Sequence, residues 1–363
     1  MTGYQKLAVA ATSAIYALVI MGGVVRVTGS GLGCPDWPLC HGQVIPPLEK
    51  PVLIEYSHRL AATAGGFLVV GLAVATWLTH RRSTVMVTAA TAAVALLVFQ
   101  AVLGGVTVVN ELPPNIVTAH LAIALVLLSL LLLVTTLSLV GPRTAGEGPV
   151  GHWRLVGGRS DPSLKAGASG ARLMPQPSGW GGEWPTTHES VTPAAVPWLP
   201  VVAALATYGL ILTGSYVVGK GASIACTGWP LCNGQVIPGG NERVLIHFAH
   251  RLAAAGAGAL IVALVVQAWR RRPPVRPLAV TATLALAIYV AQAMLGASNI
   301  WFQLAPGVRA AHLGVGTAVW MTLVVHVILA YRLARPALAE LESRLETLVQ
   351  ARSFVAEGRR EAI

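Results

Sequence analysis

The sequence predicts an all-α integral membrane protein whose eight transmembrane helices form two tandem four-helix bundles, related by a pseudo-twofold axis along the membrane normal. Three observations support this prediction: the composition, the number of long apolar runs, and an internal repeat. Hydrophobic residues make up 55% of the chain and charged residues only 11%. This composition is typical of a membrane protein and excludes an ordinary soluble domain.

Eight apolar runs are each about twenty residues long, which is enough to cross about 30 Å of hydrocarbon. Because lipid offers the backbone no hydrogen-bond partner, each run is expected to form a helix. The runs begin near Lys6, Glu55, Thr84, Ile116, Pro197, His247, Val275 and Val308. The first run is too long for the core of a cleavable signal peptide, so we expect it to remain as a helix.

The net charge of +11 indicates a membrane orientation rather than nucleic-acid binding, because the basic residues lie in alternate loops. These residues are Arg81, Arg82, Arg270, Arg271, Arg272 and Arg276. The positive-inside rule therefore predicts a multi-pass plasma-membrane protein with these loops and both termini in the cytoplasm. The loops at about 28–54, 110–115, 219–246 and 299–307 are expected to face outward, and membrane lipid is the expected surrounding partner.

An internal repeat relates the two halves by one shift without a gap, 226 − 34 = 192 positions. Residues 33–46 fall on residues 225–238, with Trp-Pro-Leu-Cys and Gly-Gln-Val-Ile-Pro in both. Because each copy has an even number of spans, the copies should run in the same direction through the membrane. The predicted halves are residues 1–140 and 197–335.

Two segments lie outside the halves. Residues 141–196 are rich in Gly, Pro and Ser and predict a cytoplasmic linker. In the tail at 336–363, leucines recur at helical spacing among charged residues. That pattern predicts an amphipathic helix on the membrane or against a partner, and a solvated charged helix fits equally well.

The four cysteines form two pairs of identical spacing in outward loops, Cys34 with Cys40 and Cys226 with Cys232. An oxidising exterior and the short spacing favour two intraloop disulfides. The rival interpretation is a metal site that includes His41, but the repeat-equivalent position 233 is Asn.

Four of the ten histidines lie near predicted outer helix ends at repeat-equivalent positions: His58, His120, His250 and His312. A single histidine there would more often make a structural hydrogen bond. The duplication favours function, because each half places one histidine on its second span and one on its fourth, at similar depth. Two facing imidazoles suit the axial positions of a haem iron, whereas zinc would need two further ligands.

For the other polar residues near these histidines, the sequence indicates a role less specifically. Arg59 and Arg251 suit contacts with haem propionates, or equally well act as anchors at the membrane interface. Gln100 and Gln292 lie deeper and are expected to bridge helices by hydrogen bonds. His326 has no histidine as its repeat partner and is assigned no ligand role.

The sharpest difference between the halves is Glu55, whose repeat equivalent is His247. Glu55 precedes His58 by three residues and should share its helix face. A carboxylate beside a haem at the membrane boundary suits proton transfer. A salt bridge to Arg59 or Arg26 is the equally weighted alternative.

The chain resembles bacterial heme A synthases over both halves and essentially all eight spans. The resemblance lies in Glu55-Tyr56-Ser57-His58-Arg59, Phe248-Ala249-His250-Arg251, both Trp-Pro-Leu-Cys loops, and the histidines that open spans four and eight. The resemblance implies oxidation of a haem O methyl group to a formyl group by successive hydroxylations, which gives haem A for cytochrome oxidase.

The resemblance also implies a division of labour. The N-terminal half, with His58, His120 and Glu55, would hold the substrate haem O, and the C-terminal half, with His250 and His312, would hold a haem b that passes electrons. The electron partner stays open, and haem O synthase or a second copy of the chain are compatible partners. The cysteine pairs are compatible with redox coupling or with loop stabilisation alone.

Two other classes of protein fit part of the pattern. A two-haem membrane electron carrier explains the four histidines but leaves Glu55 and the unequal halves without a role. A transporter built from parallel repeats would need broken helices and a polar site at the membrane midplane. Apart from the paired glutamines, the sequence contains neither.

Overall fold

A computed structural model describes residues 1–140, 198–270 and 274–360, with no side-chain description for 335–360. Within these ranges the regular elements are eight helices, each long and apolar enough to cross a membrane. They are α1 (Gly3–Val27), α2 (Lys50–Thr79), α3 (Thr84–Val109), α4 (Pro114–Val140), α5 (Trp198–Gly219), α6 (Glu242–Arg270), α7 (Arg276–Trp301) and α8 (Pro306–Arg360). The all-helical membrane fold is therefore confirmed. The predicted linker, Arg271 and Arg272 lie outside the described residues.

Two helices begin more than one turn before their apolar runs. α2 begins at Lys50 and α6 at Glu242, five residues before each predicted start. Polar first turns can extend a helix beyond the hydrocarbon, and Pro51 suits the first turn of α2 because its missing N–H has no intrahelical partner there. His58 and His250 consequently lie about two turns inside their helices.

The helices of the N-terminal half close a ring. α1 contacts α2 and α4, and α3 contacts the same two helices. In the second half α6 contacts α5 and α7, and α8 reaches α7 through a 2.7 Å hydrogen bond between His326 Nδ1 and Thr281 Oγ1. The halves meet where α4 contacts α5 and where the Tyr16 hydroxyl of α1 donates to the Gly314 carbonyl of α8, at 3.0 Å. The two-bundle arrangement with its pseudo-twofold axis stays a prediction.

The loops between α1 and α2 and between α5 and α6, here called the cysteine loops, contain the predicted disulfides. Cys34 is bonded to Cys40 and Cys226 to Cys232, each with 4.7 Å between the Cα atoms. The cysteines are therefore not metal ligands.

His41, proposed above as a rival metal ligand, instead supports the fold of its loop. Its Nε2 lies 2.9 Å from the Gly33 carbonyl, and at the equivalent position Asn233 donates to the Ala225 carbonyl at 3.2 Å. Both residues have φ near +55°, a conformation that Asn and His tolerate better than most residues. Two different side chains thus make the same loop contact.

Candidate functional site

The structure brings the four predicted histidines together in pairs. His58 on α2 and His120 on α4 lie near each other within the ring of helices of the first half. His250 on α6 and His312 on α8 are related in the same way. Within each half the two imidazoles therefore converge from different helices, as a ligand held between them requires.

Each of these imidazoles lies against a glycine of the preceding helix. A Cβ added to the glycine would lie 3.1–3.3 Å from the imidazole Cε1, closer than most side chains tolerate. The pairs are Gly22 with His58, Gly104 with His120, Gly214 with His250, and Gly296 with His312. The same 192-position shift relates the glycines, so both halves provide the same cradle. Any larger residue would displace the ring.

Three of the imidazoles have a buried nitrogen without a hydrogen-bond partner among the described residues. These atoms are Nδ1 of His58, His120 and His312. In contrast, His250 Nδ1 lies 2.9 Å from Thr213 Oγ1. A buried polar atom left unpaired costs about 1–3 kcal/mol, so it is unusual unless a ligand compensates.

The donor chemistry of these pairs fits a haem. Imidazole nitrogens are axial ligands of haem iron, and two of them suffice because the porphyrin supplies the equatorial ligands. A zinc ion would want four protein or water ligands. In the described ranges, no three His, Cys, Asp or Glu side chains are grouped as a metal ion would require. The glycine cradles and the unpaired nitrogens thus fit a flat ligand held between two imidazoles.

Glu55 is buried one turn from His58 and ties α2 to the first cysteine loop. Its Oε2 accepts a 2.8 Å hydrogen bond from the Cys34 amide, and its Oε1 forms a 2.6 Å salt bridge with Arg59. The ion-pair alternative is therefore present, with Arg59 rather than Arg26 as the partner. Glu55 is only 3% exposed, so its carboxylate is shielded from bulk solvent.

Arg59 makes most of its hydrogen bonds to the same loop. It donates to the carbonyls of Cys34, Asp36 and Leu39 as well as to Glu55. A guanidinium has five N–H donors, so these four bonds leave one N–H group for another partner.

The second half keeps this scaffold but lacks the acid. Arg251 donates to the carbonyls of Leu231 and Cys226. His247 is buried and its Nδ1 lies 3.0 Å from the Ala222 carbonyl and 3.4 Å from the Cys226 amide nitrogen. The two sites therefore differ in one side chain, a carboxylate at Glu55 and an imidazole at His247, and resemble each other in the arginine and loop contacts around it.

The glutamines bridge helices as predicted. Gln100 on α3 donates to the His120 carbonyl at 2.8 Å, and Gln292 on α7 lies 3.4 Å from His312 Nε2. His326 hydrogen-bonds Thr281, far along α8 from His312, and takes no part in the paired sites.

Comparison with known proteins agrees with this arrangement. Residues 5–156 and 180–324 match the family described as cytochrome oxidase assembly protein. The chain is 31% identical over 329 residues to the heme A synthase of Symbiobacterium thermophilum, which covers 89% of this chain and 94% of that protein. It is 30% identical over 304 residues to the heme A synthase of Shouchella clausii, covering 82% and 87%. It is 31% identical over 295 residues to that of Halalkalibacterium halodurans, covering 80% and 84%. The chain therefore belongs to the family of cytochrome oxidase assembly proteins that includes these heme A synthases.

Proposed function

We propose that the chain is a heme A synthase, a membrane oxidoreductase that converts haem O to haem A for cytochrome oxidase. The observation that carries the proposal is the contrast between two otherwise matched histidine sites. The first has the carboxylate of Glu55 beside His58, and the second has His247 at that position. A carrier with two equivalent haems has no need for this difference.

The proposed substrate site is the N-terminal half. His58 and His120 would hold the iron of haem O, and Gly22 and Gly104 keep the space that their imidazoles occupy. His250 and His312 would hold haem b, which supplies one-electron redox chemistry when bound. The buried Nδ1 atoms of His58, His120 and His312 are shielded from bulk water.

Glu55 is the proposed proton acceptor. Conversion of a methyl to a formyl group is a four-electron oxidation; with water as the oxygen source it balances as methyl plus water giving formyl, four protons and four electrons, so the site needs a proton acceptor and an external electron acceptor. As a carboxylate, Glu55 accepts from Arg59 and from the Cys34 amide. A proton on Oε1 would weaken the contact with Arg59, so uptake and release of the proton are coupled to the position of that guanidinium.

The orientation of the site is part of the proposal. We place the chain in the plasma membrane with both termini in the cytoplasm and the histidine pairs near the outer face. The positive-inside rule supports this, since Arg81 and Arg82 follow α2 at the end opposite to His58. The remaining donors of Arg59 and Arg251 stay candidates for haem propionates.

Haem extraction tests the function directly. The full chain is expressed in a host that makes haem O but has no heme A synthase of its own, then purified, and its haems are extracted and separated by chromatography. We expect haem A or its hydroxylated precursor together with haem b. Two identical, unmodified haems would support the electron carrier and contradict the proposal.

A further inference from the structure

Two arginines meet where the halves of the protein join. Arg26 lies in the last turn of α1, three residues after Gly23, and Arg309 in the first turn of α8, four residues before Leu313. α1 and α8 pack closely below them, where a Cβ on Gly23 would meet the Leu313 side chain at 2.6 Å. The two guanidinium groups therefore lie at the same end of the contact between α1 and α8, which is here called the seam.

This pair occurs once in the chain. The repeat equivalent of Arg26 is Val218, and that of Arg309 is Val117. Arg26 comes from the first helix of the N-terminal copy, and Arg309 comes from the fourth helix of the C-terminal copy. The arginine pair is therefore not one of the features that the repeat places in both halves. Arg59 and Arg251 donate hydrogen bonds to carbonyls of the cysteine loops, and among the described residues Arg26 and Arg309 make no such bond.

Among the described residues, no acidic side chain balances the positive charge at the seam. The hydrogen bonds of Arg26 to these residues are two long ones, 3.4 Å to Ser215 Oγ and 3.5 Å to the Ser215 carbonyl. Neither Arg26 nor Arg309 forms a salt bridge within the described part of the chain. Both side chains are half-buried. Like charges in such a place repel, and the helix dipole at the start of α8 adds to the positive potential around Arg309. An anion there would be strongly stabilised.

Both arginines lie next to the histidine sites. Arg26 follows Gly22, the glycine against His58, by one helical turn, and Arg309 precedes His312 by one turn on the same face. The anionic groups of a haem are its propionate carboxylates, which match the planar fork of a guanidinium. We propose that Arg26 and Arg309 together bind a propionate carboxylate of a haem at the seam between the halves. This inference rests on the proposed function, because it requires a haem between the histidines.

Haem and its dimethyl ester differ only in the propionate charge and therefore test the inference. The full-length protein, purified without haem, is titrated with each compound, and binding is followed by the Soret absorbance. We expect the unmodified protein to prefer haem by about tenfold or more, the equivalent of one charge-assisted contact. The double variant Arg26→Gln/Arg309→Gln should lose most of that preference. Arg243→Gln, an exposed arginine at the start of α6, is the matched control and should retain it.

The ratio of the two affinities is internal to each variant, so partial misfolding lowers both and leaves the ratio intact. The same comparison is repeated in two backgrounds, His58→Ala/His120→Ala and His250→Ala/His312→Ala, and the background in which Arg26→Gln/Arg309→Gln still lowers the preference identifies the haem that supplies the carboxylate. A loss of preference caused by the double arginine change in either background supports the inference. An unchanged preference after that change in both backgrounds would overturn it and leave another anion, such as a lipid phosphate, as the counter-ion. If the unmodified protein bound neither compound, the proposed function itself would fail.

Discussion

The Cys34 backbone amide donates a 2.8 Å hydrogen bond to Glu55 Oε2. This bond joins the first disulfide loop to the acidic residue that distinguishes the two halves. Arg59 completes the connection, since it contacts both Glu55 and the Cys34 carbonyl. The geometry of the loop and the position of the carboxylate beside His58 are therefore coupled.

Replacing Glu55 with Gln should stop formyl formation and leave haem bound. An amide oxygen can still accept from the Cys34 amide, but the side chain no longer takes up a proton. We expect the yield of haem A to fall at least about a hundredfold, within the range typical of a lost general base. His247→Gln is the matched change in the other half and should retain the product. Equal yields from Glu55→Gln and the unmodified chain, measured by chromatography of extracted haems, would remove Glu55 from the mechanism.

Removing the first disulfide should impair the reaction more than removing the second. Cys34→Ser/Cys40→Ser frees the loop whose amide holds Glu55, whereas Cys226→Ser/Cys232→Ser frees a loop that contacts His247 instead. We expect a lower ratio of haem A to haem O only in the first variant, with haem content retained in both. The same ratio in the two variants would argue that the loop contact does not position Glu55.

The glycine cradles should be intolerant of a methyl group. Gly22→Ala and Gly104→Ala place a Cβ within 3.3 and 3.2 Å of imidazole carbons, and such overpacking costs about 1–3 kcal/mol. We expect less bound haem and a weaker low-spin absorption spectrum. Gly71→Ala on α2 is the control, since nothing lies within 4 Å of its added Cβ. Normal haem content in both cradle variants would show that the rings can shift without loss of the ligand.

The first cysteine loop should lose order in acid. Hydrogen bonds from the backbone amides of Gly42 and His41 lower the pKa of Asp36 below its usual value. A lowered pKa stabilises the loop above the ordinary carboxyl pKa, about 4, and this contribution disappears as the pH falls through the lowered value. The second loop has Gly228 at that position and serves as the internal control.

Hydrogen exchange of the two cysteine loops, compared at pH 6 and at about pH 3, measures this effect. Protection of the His41 and Gly42 amides should fall relative to that of Asn233 and Gly234, and Asp36→Asn should remove the difference between the two pH values. Parallel behaviour of both loops in the unmodified protein would contradict the role of Asp36.

The sequence was sufficient for the eight helices and both disulfides. These follow from apolar run length and from identical Cys spacing. The cradles at Gly22 and Gly214 and the meeting of Arg26 with Arg309 could not be predicted, because they depend on how each helix is rotated about its axis. Membrane helices are apolar on most faces, so hydrophobic periodicity does not identify the facing residues. The sequence did contain one signal for the cradles: a glycine occurs at repeat-equivalent positions in the helix that precedes each histidine.

Arg59 and Arg251 illustrate a different limit. Their positions after His58 and His250 suggest a role toward the haem, yet most of their described donors go to loop carbonyls. The backbone carbonyls of an irregular loop also need hydrogen-bond donors, but their positions cannot be predicted from any periodic pattern in the sequence. For Glu55 the sequence predicted proton transfer and a salt bridge with equal weight. The salt bridge to Arg59 confirms the second role, and proton transfer stays a prediction.

Electron paramagnetic resonance of the haem-loaded protein tests the paired-histidine assignment most directly. We predict two low-spin signals typical of bis-imidazole iron, one of which disappears in His58→Ala/His120→Ala and the other in His250→Ala/His312→Ala. Survival of both signals in either double variant would contradict the assignment of the histidines as haem ligands.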